Sequence, residues 1–392
     1  MIRHAAVGSK RRFRPQVRPI VQRPAIPYTA VLPLRWGREV ARGGVALSCG
    51  DIMPETRQLI KAREAKEPFF VGIDVGGMSI RVGVVDDLGR PLSWVCIKTE
   101  AKRGPEDAAR RMGDAVRQAI CEAGLRPETI VRVGLASAGP MDIPAGIITT
   151  PINLPGWENA PLRDFVAQYS GLPVTFENDA NAAAYGEFWV GAGRGLTSMV
   201  LLTLGTGIGC GVILGGRVVR GEHSHGGESG HIILDCTEAS RMCGCGRRGH
   251  LEAYASATAV IKRTHEALDA GRASSLCGPL AAGQDLTPKL IATEAAAGDE
   301  LSLEIVLETA RYLAVGVVGL MHMLQPEGVF LGGAMTFGGH ETALGRRFLD
   351  EVRQEVQRRA LPHVARNTSV DLASLGGDAG VIGAAGVARQ DC

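Results

Sequence analysis

Apolar runs that break on glycine set the rhythm of this chain. FFVGIDVGG at 69–77 is a continuous apolar run ending in a double glycine, the pattern of a strand buried on both faces and then turned sharply. SIRVGVVDDLGRPL at 79–92 alternates and turns at Asp87–Gly89, which predicts a β-hairpin with its return strand over Trp94 to Thr99. Pro105, Glu106 and Asp107 mark a helix start; Ala108, Met112, Ala115, Val116, Ala119 and Ile120 recur at helical spacing, and Gly124 ends the pattern. TIVRVGLASAGP at 129–140 reads as another strand. LPVTFENDANAAAYGEFWVG at 172–191 reads as a strand passing into a helix. TSMVLLTLGTGIGCGVILGGRVVRG at 197–221 reads as strands around a glycine turn. A long helix over Leu301–Leu324 ends before Pro326, and GVFLGGA at 328–334 is a strand with its own glycine turn. Strands alternating with helices define an α/β protein, and the spread of elements divides it into two lobes.

Composition sharpens this only in places. The chain has 392 residues, of which 45% are hydrophobic, enough for about two cores. Lys+Arg and Asp+Glu nearly balance at 43 and 41, so nothing global points to nucleic acid or a membrane surface. No apolar run reaches the ~18 residues of a membrane span. Nine cysteines and no secretory signal favour a reducing, cytoplasmic setting, where a close Cys cluster suggests metal before disulfide. Residues 1–52 differ from the rest: ten Arg/Lys stand against two acids, Glu39 and Asp51, with five prolines and no apolar period. Residues 1–67 are therefore read as a disordered basic leader, with Met53 as an alternative start.

Three strands run into small-residue turns, at Asp74–Gly77, Gly205–Gly209 and Gly332–Ala334. Backbone N–H groups of such turns can surround a phosphate, because no Cβ blocks the approach. Asp74 could hold Mg²⁺ and Thr206 could bond a phosphate oxygen. Two rival nucleotide motifs are absent: there is no Gly-Lys pair for a P-loop, and GTGIGCG at 205–211 lacks the spacing of a dinucleotide turn. In ENDANAAAYGE at 177–187, Asn178 and Asp179 stand where a strand gives way to a helix. Asp179 could simply cap that helix. Alternatively it is a general base that takes a proton from an alcohol as the oxygen attacks a phosphoryl group, with Asn178 orienting the alcohol. Further on, His231, Cys243, Cys245 and His250 form a Cys₂His₂ set suited to a closed, structural zinc site, with Cys236 a competing ligand.

Together these pieces resemble the ROK family of sugar kinases, closest to its bacterial ATP-dependent glucokinases. The resemblance is carried by DVGG at 74–77, NLPGW at 153–157, ENDAN at 177–181, LGTGIG at 204–209, GESGH at 227–231, CGCGRRGHLE at 243–252 and LGGA at 331–334, in the family's order over about 69–390. It implies an actin-like ATPase fold, ribonuclease H-like, with two α/β lobes around a cleft and a zinc-stabilised loop at 231–250. The lobes would be 68–180 and 181–377, with a C-terminal helix in 378–392 packed back on the small lobe. It further implies ATP-dependent phosphorylation of glucose to glucose 6-phosphate. Asp179 would be the base. Asp74, Gly76, Gly77, Gly205, Thr206 and Gly207 would face ATP phosphates, with Gly332 and Gly333 on the adenosine side. Asn153, Asn178, Glu228, His231 and Glu252 would bond the sugar, His231 also serving zinc through its other nitrogen. A homodimer is the expected assembly, and no membrane or nucleic-acid partner is expected. Fructose, N-acetylmannosamine, N-acetylglucosamine and allose kinases share these motifs, and a sugar-sensing regulator is the alternative of another class. Departures are His250 where the family has a third cysteine, Met78 where it has threonine, and a leader without the repressors' helix-turn-helix.

Overall fold

The computed structural model describes residues 58–151 and 153–392. Most of the basic leader and the alternative start at Met53 lie outside the described residues. Its last ten residues are described, and Ala62–Glu64 form a short helical turn there. Ile60 N donates to Pro91 O, and Lys66 N to the carboxylate of Asp86. Ile60, Ala62 and Ala65 also pack against the first core.

The first sheet is built from β1 (Phe69–Val75), β2 (Ser79–Val85), β3 (Pro91–Lys98), β4 (Ile130–Ser137) and, after a small hairpin of β5 (Met141–Asp142) and β6 (Ile147–Ile148), β7 (Val174–Asn178). Helix α1 (Pro105–Glu122) precedes β4, α2 (Leu162–Ser170) precedes β7, and α3 (Asp179–Trp189) follows it. The second sheet contains β8 (Met199–Leu204), β9 (Ile208–Leu214), β10 (Arg217–Val218), β11 (Gly328–Gly332) and β12 (Ser369–Leu372). Between β10 and β11 lie α4 (Glu252–Ala255), α5 (Ala257–Asp269), α6 (Cys277–Ala281), α7 (Pro288–Ala297) and α8 (Glu300–Leu324). Helices α9 (Ala343–Arg359) and α10 (Pro362–Asn367) precede β12, and α11 (Ala379–Gln390) closes the described chain.

Both sheets have five strands in one order: third, second, first, fourth, fifth. In each, the first three strands pair antiparallel and the last two add in parallel. The architecture is thus duplicated although no sequence repeat is visible. Pairing geometry and burial pattern recur while the identity of each apolar residue drifts. β1 is apolar up to Asp74 near its end because it lies between β2 and β4 and is covered on both faces. Helix α1 presents Ala108, Met112, Ala115, Val116, Ala119 and Ile120 to one core. The other face of the first sheet carries α11, which is rich in Gly and Ala because it packs against backbone. A Cβ on Gly134 would stand 1.8 Å from Ala384 O, and one on Gly383 would stand 1.6 Å from Ala182 O in α3. The C-terminal helix is therefore wedged between the first sheet and α3, and it fixes where α3 begins. Among the described residues, no helix is long and apolar enough to cross a membrane.

Candidate active site

The parallel strands β1 and β7 end on the same edge of their sheet, in register through β4. Asp74 and Asp179 therefore emerge at the same edge, with β4 between their strands. They are close enough that the charge of Asp179 helps raise Asp74, whose carboxyl is pushed up to about 6, mainly by burial; Arg81 opposes this from 3.7 Å. Burial likewise raises Asp179, and Glu228 adds to the rise through its charge. Asp74, Asp179 and Glu228 thus form an electrostatically linked acidic set, drawn from three separate segments of the chain.

Each member is held by its local backbone. The turn at 76–79 is closed by Gly76 N to Ser79 O, and the Thr99 hydroxyl donates to Gly76 O at 2.6 Å. Asn153 lies against Gly77: a Cβ there would be 3.3 Å from Asn153 O. Met78 is 83% exposed, so its side chain leaves the turn. At the second site Asn178 is the helix cap, its Oδ1 accepting from Ala180 N and Asn181 N. Capping by Asp179 alone therefore fails as a sufficient account of that aspartate. Asp179 Oδ1 accepts from Ala180 N at 2.8 Å, while Asn178 donates to it as well.

Gly205 N donates to Gly207 O, and Thr206 stands exposed between them. A Cβ on Gly207 would stand 2.4 Å from Glu252 Oε2, so a larger residue there would displace the Glu252 carboxylate. That carboxylate oxygen accepts from Ile208 N, and the other oxygen of Glu252 accepts from Cys243 Sγ at 3.3 Å. Glu252 therefore ties the Gly205–Gly207 turn to the cysteine loop. Gly333, with φ +90°, abuts Leu204 at the end of β8, so the third glycine turn sits beside the second.

His231, Cys243, Cys245 and His250 come together with all four ligand atoms within 4.8 Å of one another. The two Nδ1 atoms are 3.2 Å apart, Cys243 Sγ is 3.9 Å from His231 Nδ1, and Cys245 Sγ is 3.3 Å from His250 Nδ1. A tetrahedron with metal bonds of about 2.0–2.3 Å has edges of roughly 3.3–3.8 Å, so the donor set fits zinc. Burial pushes the Cys243 thiol up to about 12, with Glu252 adding to the effect, so a thiolate here needs a cation beside it. Burial lowers His250 and favours the neutral ring that ligates metal. The loop is shaped by Gly246 and Gly249, both at positive φ, and by the Ile233–His250 bridge, which brings the two histidines together. His231 divides its nitrogens: Nδ1 faces the cluster, and Nε2 lies 3.8 Å from Glu228 Oε2. Cys236 is not in the cluster.

Sequence reasoning missed Glu177 and Arg220. Glu177 is buried; it pairs with Arg220 at 2.7 Å and accepts from Asn178 N and Asn181 Nδ2. A glutamate preceding the Asn-Asp pair was visible, but its partner lies 43 residues away and carries no local signal.

Duplicated sheets meeting glycine turns and a linked acidic set define the class: the mixed α/β fold of the ROK sugar kinases. The chain belongs to the ROK family, which it matches over residues 70–391. It is 35% identical to a glucokinase of Thermotoga maritima over 320 residues, 82% of this chain and 97% of that one. A ROK hexokinase from Thermus thermophilus shares 34% identity at a TM-score of 0.68, over 82% of this chain and 98% of that one. A ROK family glucokinase from Streptomyces griseus, solved with glucose and AMPPNP, shares 33% identity at a TM-score of 0.65, over 82% and 99% of the two chains. The protein is accordingly an enzyme of the sugar-kinase class.

Proposed function

We propose that the protein transfers the terminal phosphoryl group of ATP to the 6-hydroxyl of glucose. One observation carries the reading: the half-buried Asp179 is coupled by charge both to Asp74, beside one glycine turn, and to Glu228, beside His231. A base for an alcohol must sit between the alcohol and the phosphate it attacks. Burial strengthens Asp179 as a proton acceptor relative to an exposed carboxylate. Asn178, fixed as the cap of α3, orients it. In this reading Asn153, Asn178, Glu228, His231 and Glu252 bind the sugar hydroxyls. The backbone at Gly76, Gly77, Gly205 and Gly207, with the Thr206 hydroxyl, binds the phosphates; Gly332 and Gly333 make room for the adenosine. Asp74 would hold Mg²⁺, which supplies charge neutralisation to the transferred phosphate. Zinc on the Cys₂His₂ set has no vacant position for substrate; it would fix His231, and Glu252 through Cys243. The names of the relatives support glucose as the sugar, and a homodimer is carried as part of the reading.

The test is ADP release with ATP, Mg²⁺ and a panel of glucose, fructose, N-acetylmannosamine, N-acetylglucosamine and allose. Glucose should give the highest kcat/KM. Asp179→Asn should lower kcat by about 10²–10⁴-fold, the usual worth of a general base, with glucose binding retained. A variant within a few-fold of wild type would remove Asp179 from the chemistry. A different preferred hexose would retain the mechanism and change the substrate.

A further inference from the structure

Around Thr175 on β7, the strand that leads into Asp179 at the start of α3, lies an open cavity of about 320 Å³. Its polar lining comes from Arg132 on β4, Thr175 on β7, Arg163 on α2, Arg220 and Ser224 after β10, and Asp391 beyond α11. Thr175 is only 7% exposed, and its Oγ1 has no hydrogen-bond partner among the described residues. The buried Nε of Arg132 also has none. Arg163 is committed to Asp164 and to the carbonyls of Pro144 and Ala145. Arg220 uses Nε on Glu177. The cavity lining thus holds three guanidinium groups and one carboxylate, that of Asp391, while Arg163 and Arg220 also pair with Asp164 and Glu177 outside it.

A buried hydroxyl and a buried guanidinium nitrogen without partners are costly, which indicates that a complementary group belongs between them. Arginine forks match the oxygens of phosphate. Donors line it from the neighbouring strands β4 and β7 and from the loop after β10, and phosphate has oxygens enough to meet both sides. We propose that this cavity is a binding site for a small phosphate-bearing anion, inorganic phosphate or a phosphate monoester, separate from the phosphate-binding glycine turns.

The site is coupled to the candidate active site through protein contacts. Arg220 holds Glu177, which accepts from the residues on either side of Asp179 and Ala180, Asn178 and Asn181. Ser224 accepts from Ile143 N, linking the same loop to the β5–β6 hairpin, and the loop continues to Glu228. An anion joining Arg220 to Arg132 and Thr175 fixes that loop and lowers the KM for sugar. This second consequence rests on the proposed kinase reading; the anion site itself does not.

The experiment is calorimetric titration of the full chain with inorganic phosphate, with and without saturating AMPPNP and Mg²⁺, paired with thermal melts. Wild type should bind saturably, melt higher with phosphate, and keep that binding in the presence of AMPPNP. Arg132→Met should weaken phosphate about tenfold or more, and Thr175→Val several-fold. Absence of binding, affinity unchanged in Arg132→Met, or displacement by AMPPNP would each overturn the proposal. Asp391→Asn should tighten phosphate by removing the one opposing carboxylate. If it instead lowers the melting temperature and phosphate has no effect, the chain's own carboxylate completes the cavity and the proposal falls. Displacement of phosphate by a sugar monophosphate at lower concentration supports the site and assigns it to a monoester. Phosphate binding with an unchanged sugar KM retains the site and removes the coupling. Phosphate binding in a protein silent on every sugar removes only the kinase reading.

Discussion

Asp74→Asn should make the substrate-free protein more stable while impairing it as an enzyme. Asp74 rises from 3.8 to about 6, first through burial and then through the charge of Asp179, and Arg81 offsets only part of this. Between those values the folded state holds a proton that the unfolded chain has released. Stability therefore falls as pH rises through that window, and the whole cost is present above it. The rise corresponds to about 3 kcal/mol. Asparagine has nearly the same volume and no charge, so it relieves that cost. For a fold of this size, about 3 kcal/mol moves the melting temperature by roughly 4 °C. Melts of wild type and variant, free of nucleotide, should diverge from about pH 4 to about pH 8, with the variant higher at the alkaline end and equal at the acid end. A variant that melts below wild type at about pH 8, or a gap that does not change with pH, would refute the argument. Loss of ADP release in the same variant would show that the unfavourable charge is retained for function.

Three further outcomes test the frame around the site. Gly383→Ala should cost several kcal/mol in urea unfolding, because its Cβ would overlap Ala182 O across the α3–α11 contact; a change below about 1 kcal/mol would mean the helices can separate freely. Glu187→Ala should cost more than about 3 kcal/mol, since this buried carboxylate accepts from Ala192 N, Ser374 N, Ser374 Oγ and Leu375 N, four donors left unpaired by the change. Elemental analysis should find about one zinc per chain, and a chelator should lower the melting temperature; Cys243→Ala should carry less zinc and respond less to the chelator, whereas a zinc-free wild type would rule the site out.

The pairwise charge effects within the acidic set link its three members to the ligands they would meet. Asp179 raises Asp74, and Glu228 raises Asp179. A cation at Asp74 would relieve the first interaction, and a proton taken from a sugar hydroxyl would relieve the second. Each interaction that destabilises the free protein is thus available to favour a bound one. The glycines have the complementary part: Gly207 gives Glu252 its place, and Gly333 lets its turn close on Leu204.

The amino-acid sequence by itself determined the local elements and the chemistry they carry. Period and punctuation placed the buried strand at Phe69, the stripe of α1 and the end of α8 before Pro326, because burial periodicity and the missing proline N–H act over neighbouring residues. The Cys₂His₂ set could be read because its ligands lie within twenty residues of one another. Tertiary structure alone decided what depends on distant backbone. The duplicated sheet order leaves no trace in residue identity. The Glu177–Arg220 pair joins segments that no period relates. The requirement for glycine at 134 and 383 comes from helix backbones arriving from far along the chain. Sequence could suggest either a cap or a base at the Asn178–Asp179 step; only the folded chain gave the cap to Asn178 and brought Asp179 within reach of the charge of Asp74. Local free energies write themselves into local patterns, whereas the mutual charge of two carboxylates exists only once the chain has brought their strands into register.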